Sequence, residues 1–168
     1  MKIFGLVPES IVDGRGLRFA VFVQGCPHHC PGCHNPGSHD PNGGEELSVN
    51  EIVDRMLSNP ITTGLTLSGG EPFEQAQDCL TLVRAARESG RNVWAYTGYT
   101  YEHLRDNGSP MQKLLLSELD ILVDGRFIQE QRSLSLPWRG SCNQRIIDVS
   151  KSLLSGTTVE WMEEKRCI

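Results

Sequence analysis

The sequence has no apolar run approaching the roughly 20 residues of a membrane-spanning helix. Nor has it a surplus of positive charge: 16 Lys and Arg stand against 21 Asp and Glu, a formal net charge of −5. Nucleic-acid phosphates are held by clustered Lys and Arg, so this balance argues against nucleic acid as the main partner. The N-terminal ten residues carry one Lys, then Pro8 and Glu9, and lack the pattern of a secretory signal. There is no internal repeat and no low-complexity segment. Hydrophobic residues are scarce at 38%, yet charges of both signs and aromatics are interspersed, as in a folded protein. A length of 168 residues suits a single domain that buries about 70% of its unfolded surface. One domain over 1–168 is therefore expected, its core at about 10–150. Six cysteines without an export signal point to a reducing cytoplasmic setting, and to metal or redox chemistry rather than disulfides.

Three of those cysteines, Cys26, Cys30 and Cys33, fall in one short stretch with the spacing C-x3-C-x2-C. Thiolates bind soft metals, and three on one loop form a claw for zinc or an iron–sulfur cluster. A closed structural site needs four protein ligands, whereas three leave one position open for chemistry.

Residues 18–24, rich in β-branched and aromatic side chains, predict a buried strand that runs directly into the cysteine loop. Residues 35–46 are a long polar connection with turn residues. Ser48 to Glu51 has the form of a capping box, followed by apolar residues at helical spacing up to about Asn59. Further strands are predicted at 64–67, 92–96 and 121–123. A helix is predicted from Phe73 to Ser89, and an interrupted one over 101–117. Alternating strands and helices indicate an α/β fold with parallel strands and right-handed crossovers. The cysteine loop, Ser-Gly-Gly-Glu-Pro at 68–72, the turn at 97–100 and Asp124-Gly125-Arg126 then all follow strand carboxyl ends, the face on which α/β sites are built. A complete eight-stranded barrel takes about 250 residues, so a partial (β/α) barrel, open at the side to a macromolecule, is expected.

These motifs in this order resemble the radical S-adenosylmethionine enzymes. The stretch Ser10-Ile11-Val12-Asp13-Gly14 with Gly16-Leu17-Arg18 resembles the start of glycyl-radical-enzyme activases, with Arg15 where those proteins usually carry Pro. Small size, the 122–127 stretch and residues 138–145 resemble, among activases, those of anaerobic ribonucleoside-triphosphate reductase. Gly32 precedes the last cysteine, where many radical enzymes have an aromatic residue; the reductase activases share this feature. The resemblance covers about residues 1–150.

The resemblance implies that Cys26, Cys30 and Cys33 hold three irons of a [4Fe–4S] cluster and that S-adenosyl-L-methionine chelates the fourth. A flavodoxin or ferredoxin would supply an electron that cleaves the sulfonium, and the 5′-deoxyadenosyl radical would take a hydrogen atom from a glycine of the reductase. Ser68, Gly69, Gly70, Glu71 and Pro72 would lie along the methionine part of the cofactor, with Glu71 or a backbone carbonyl meeting its ammonium. Thr97, Gly98 and Tyr99 would contact the ribose or adenine, Asp124 would bind ribose, ammonium or a cation, and His34 would pack on the cluster.

Each residue also has a plainer reading. The cysteines could bind structural zinc with His28, His29, His34 or Cys142 as fourth ligand. Asp124 and Thr97 could be ordinary turn residues. Arg126 and the 139–145 segment could orient cofactor, dock the reductase, or form a solvated loop. His28, His29 and His39 read as exposed loop residues and Cys79 as a buried hydrophobe; Cys142 and Cys167 have no assigned role. The alternatives to a reductase activase are an activase of another glycyl radical enzyme, a radical enzyme for a small molecule, and a non-catalytic zinc or iron–sulfur module.

Overall fold

A computed structural model describes residues 1–162; Cys167 lies outside the described residues. Four strands, β2 (Arg18–Val23), β4 (Gly64–Gly69), β5 (Asn92–Tyr96) and β6 (Ile121–Asp124), lie side by side and parallel, at the positions their apolar runs predict. Three more strands pair antiparallel: β1 (Lys2–Ser10) on β2, β3 (Glu45–Glu46) on β1, and β7 (Arg145–Asp148) on β6. The sheet is thus mixed rather than wholly parallel, in the order β3-β1-β2-β4-β5-β6-β7. Among the described residues it does not close: β3 and β7 are its two edges.

Because β2, β4, β5 and β6 advance in one direction across the sheet, right-handed crossovers place all their helices on one face. Helices α1 (Val49–Leu57), α2 (Ala76–Glu88) and α4 (Pro110–Ser117), with α5 (Val149–Ser155), form that layer. Ser48 caps α1 by accepting from the Glu51 amide, but the Glu51 carboxylate pairs with Arg55 one turn on. The interruption near residue 108 separates α3 (Tyr101–Asn107) from α4, which starts with a complete capping box between Ser109 and Gln112.

Strand residues alternate between the two faces. Phe19, Val21, Val23, Leu65, Leu67, Val93, Ala95 and Leu122 pack into the main core, under the helices. Arg18, Phe22, Thr66, Ser68, Trp94, Tyr96 and Val123 share the opposite, helix-free face, where Trp94, Ile121, Val123 and Ile146 form a second cluster with Trp138 and Trp161. Arg18 is fully buried on that face, lying 5.3 Å from the Trp94 ring centroid. It donates to the Arg15 carbonyl (2.9 Å), Asn92 Oδ1 (2.7 Å), the Leu65 carbonyl (2.6 Å) and the Thr66 hydroxyl. Thr66 in turn donates to the Asp13 carbonyl (2.7 Å). A Cβ at Gly14 would press on both Arg18 and Trp94, and its φ of +129° suits glycine. The Asp13–Arg18 stretch is therefore a loop folded over its own buried arginine.

Candidate metal centre and cofactor site

The carboxyl ends of the parallel strands are laced together by their backbones. The Gly70 amide donates to the Val23 carbonyl (2.8 Å) and the Glu71 amide to the Gly25 carbonyl (2.8 Å). The Thr97 amide donates to the Val123 carbonyl (3.0 Å) and the Gly125 amide to the Tyr99 carbonyl (2.9 Å). A Cβ at Gly70 would collide with the Gly25 carbonyl, so glycine there permits the close approach of the cysteine loop to the turn after β4. The loop returns across itself: the Gly25 and Cys26 amides donate to the Ser38 and His39 carbonyls, and Gln24 Nε2 donates to the Gly37 and Asp40 carbonyls.

Cys26, Cys30 and Cys33 open on one cavity of about 110 Å³, shared with Ser68, Gly69, Gly70, Thr97 and Gly98. All three are partly exposed free thiols. Gly32 sits at φ +69°, the left-handed conformation that turns the chain so that Cys33 faces back; the Cys33 amide donates to the Cys30 carbonyl (3.1 Å). Burial pushes the Cys26 thiol above its ordinary pKa, opposed by the loop backbone at His28 and His29. The Asn35 amide lies 3.4 Å from Cys33 Sγ. Among the described residues no three His, Cys, Asp or Glu side chains are already drawn into a metal cage. The donor set nevertheless fits an iron–sulfur cluster with one open position: three soft thiols on one cavity, with an amide aimed at the sulfur of Cys33.

Not every expected residue meets that cavity. Glu71 is fully buried, and its carboxylate is occupied by internal donors: the Thr97 hydroxyl (2.9 and 3.0 Å), the Gly98 amide (2.8 Å), the Phe73 amide (3.1 Å) and His28 Nε2 (2.8 Å). Pro72 is buried at the start of the short turn 72–75 that leads into α2. The Asp124 carboxylate is 1% exposed and taken up by Arg145 and the Tyr101 amide (2.8 Å). His34 lines a neighbouring cleft, with its ring 4.9 Å from that of Phe127.

That cleft, about 700 Å³, lies on the helix-free face of the sheet. It shares Cys33, Ser68, Tyr96, Phe127 and Gln144 with the thiol cavity and is rimmed by Ile11, Val12, Leu134 and Trp138. From sequence, Tyr96 reads only as a strand residue, Phe127 only as part of the 122–127 stretch, and Gln144 only as one of the 139–145 segment. Gln144 earns its place by bridging the Gly125 carbonyl and the Gly140 amide, each at 2.9 Å. His28 is a correction to the expectation of exposed loop histidines: its side chain is 4% exposed. His39 is half-buried with its ring 5.0 Å from that of His29, and His29 itself is exposed. Cys79 is fully buried, as expected, and its thiol pKa is raised by burial. Cys142 is exposed and is absent from the lining of the thiol cavity.

A family model described as a 4Fe-4S single cluster domain matches residues 12–147. The anaerobic ribonucleoside-triphosphate reductase-activating protein of Escherichia coli K12 is 38% identical over 148 residues, covering 82% of this chain and 92% of that protein. The chain belongs to this family of activating proteins. The Vibrio cholerae member is 38% identical over 83% of this chain and 92% of its own length. The Haemophilus influenzae member is 37% identical over 87% and 97%. The region matched by the cluster-domain model, residues 12–147, holds every strand-end turn described above and the whole lining of the thiol cavity.

Proposed function

We propose that this protein is a radical S-adenosylmethionine activase that generates the glycyl radical of anaerobic ribonucleoside-triphosphate reductase. The observation that carries the reading is the meeting of three cysteine thiols on one cavity at the carboxyl ends of four parallel strands. Cys26, Cys30 and Cys33 would hold a [4Fe–4S] cluster. When bound with S-adenosylmethionine, that cluster supplies an electron to the sulfonium, yielding methionine and the 5′-deoxyadenosyl radical that takes hydrogen from the target glycine.

The protein's own groups bind, orient and exclude. Ser68, Gly69 and Gly70 would flank the methionine part beside the thiols, with backbone groups serving its ammonium, because the Glu71 carboxylate is already engaged. Thr97 lines the same cavity while donating to Glu71. Asp124 and Pro72 would serve by holding the turns in place, and His34 by packing where Cys33 meets the larger cleft. That cleft of about 700 Å³, with Ile11, Val12, Leu134 and Trp138 on its rim, would receive a loop of the reductase. We read the open mixed sheet as a partial barrel of the radical S-adenosylmethionine type, whose unclosed side admits that loop. The whole chain acts as one domain, with flavodoxin or ferredoxin as electron donor, in the reducing cytoplasm where free thiols persist. None of its helices is long and apolar enough to cross a membrane, among the described residues.

The test is anaerobic reconstitution with iron and sulfide, reduction, and assay of 5′-deoxyadenosine from S-adenosylmethionine. Cleavage by the wild type and none by Cys30→Ala is expected. Cleavage retained in Cys30→Ala, or a site filled with zinc, would overturn the reading.

A further inference from the structure

The cysteine loop contains a side chain that the thiol ligand set does not use. His28 lies between Cys26 and Cys30, yet it turns inward, with its Nε2 2.8 Å from Glu71 Oε2. A carboxylate only accepts, so Nε2 carries the proton of this bond. The same carboxylate accepts from Phe73 in its own turn and from Thr97 and Gly98 in the turn after β5. Glu71 is thus a buried hub to which three strand-end segments are fastened, and His28 is the fastening of the cysteine loop. The imidazole edge meets the Tyr99 ring at 4.6 Å and occupies the space over Gly98, where a Cβ would collide with it. Tyr99 is itself held by its hydroxyl to Glu74 (2.7 Å) and by stacking on His103. The anchored side chain lies two residues from Cys26 and two from Cys30, so it fixes the stretch of loop between two of the thiols.

We propose that His28 is a positioning residue for the iron–sulfur cluster: docked on Glu71, it sets the cysteine loop over the cavity. The proposal rests on the reading of the three thiols as cluster ligands. Groups that orient metal ligands are worth about 10–100-fold in metal affinity when removed. A cluster's potential also follows its exposure to solvent, which the seating of this loop sets.

The experiment compares His28→Gln, His28→Asn and His28→Leu after anaerobic reconstitution, reading iron per chain, rate of iron loss to a chelator, and cluster midpoint potential. The Gln amide nitrogen reaches as far from the backbone as Nε2, so this variant should keep the wild-type stripping rate within about twofold and the potential unchanged. Asn is too short and Leu cannot donate, so both should lose iron about tenfold faster or more and shift the potential away from the wild-type value. Gly98→Ala, which presses the imidazole off Glu71 without altering the loop, should behave like Leu. Should His28→Leu not fold, the Gln and Asn pair carries the same comparison. The inference is overturned if Leu or Asn matches wild type in stripping rate and potential, or if Gln fails as badly as Asn. If the wild type itself takes up no cluster, the functional reading falls first.

Discussion

Replacing Arg18 with Met should destabilise the cluster-free protein and loosen the wall of the large cleft. The guanidinium is fully buried and donates to Thr66, the carbonyls of Arg15 and Leu65, and Asn92. Burial lowers its pKa to about 10, which leaves it charged at neutral pH. Each hydrogen bond to a charged group contributes roughly 1.5–3 kcal/mol, while removing the cation from water costs several kcal/mol. The two largely offset, so a net loss of about 2–4 kcal/mol is expected on substitution, with acceptors in the sheet left unpaired. At about 2–4 °C per kcal/mol for a chain of this size, Tm should fall by roughly 5–15 °C. Arg18→Lys should not rescue it, because one ammonium cannot span acceptors arranged for a planar fork. Urea unfolding with an unchanged m-value is the assay. The structure also links Arg18 through Thr66 to Asp13, which lines the cleft with Ile11 and Val12, so reductase activation should fall as well. A Met variant within about 0.5 kcal/mol of wild type, the range of ordinary surface changes, would refute the reasoning.

Other perturbations test separate parts of the architecture. Glu102 is held at a pKa of about 2, chiefly by its bond to Arg145, against an ordinary value of 4.5. A carboxyl lowered in the folded state stabilises above its unfolded pKa, so this contribution should fade as pH falls from 4.5 toward 2. Glu102 is 40% exposed, so solvent screening leaves about 1 kcal/mol or less, visible as a shallow acid limb in urea midpoints that Glu102→Gln removes. Arg145→Met should cost more, about 3–5 kcal/mol, because it strands the buried Asp124 carboxylate; a loss under about 1 kcal/mol in the same assay would contradict that role. Gly32→Ala must place a side chain at φ +69° and displace Gln129, so about 1–2 kcal/mol of backbone strain should appear as slower cluster uptake, measured by iron content. Cys142→Ser should retain full iron, since that thiol is exposed and away from the cavity, whereas loss of the cluster would make it a fourth ligand.

Much of this site could be read in advance because its chemistry is local. Three cysteines on one loop announce themselves, and the parallel strands are short apolar runs buried on both faces, each ending at glycine or a turn. The antiparallel strands were less visible for physical reasons. β1 contains Gly5 and Pro8, β3 is two residues long, and β7 follows a long irregular segment, so pairing with a neighbour rather than propensity makes them strands. Asp124 and Glu71 were legible as strand-end carboxylates, but their neighbours were not. Arg145 lies 21 residues beyond Asp124, and His28 lies 43 residues before Glu71. Partnerships over such distances exist only once the sheet has formed. The motif around Arg18 shows the same limit: its resemblance was plain, while its role as a loop closed over a buried cation became visible only in three dimensions.

The central claim is that three thiolates on this loop hold a cluster whose radical chemistry ends on a partner protein. Electron paramagnetic resonance tests it most directly, after anaerobic incubation of the reduced, reconstituted protein with S-adenosylmethionine and anaerobic ribonucleoside-triphosphate reductase. A glycyl radical signal on the reductase with the wild type, and none with Cys30→Ala, is the predicted result. A cluster-loaded wild type that leaves the reductase without a signal would contradict the account.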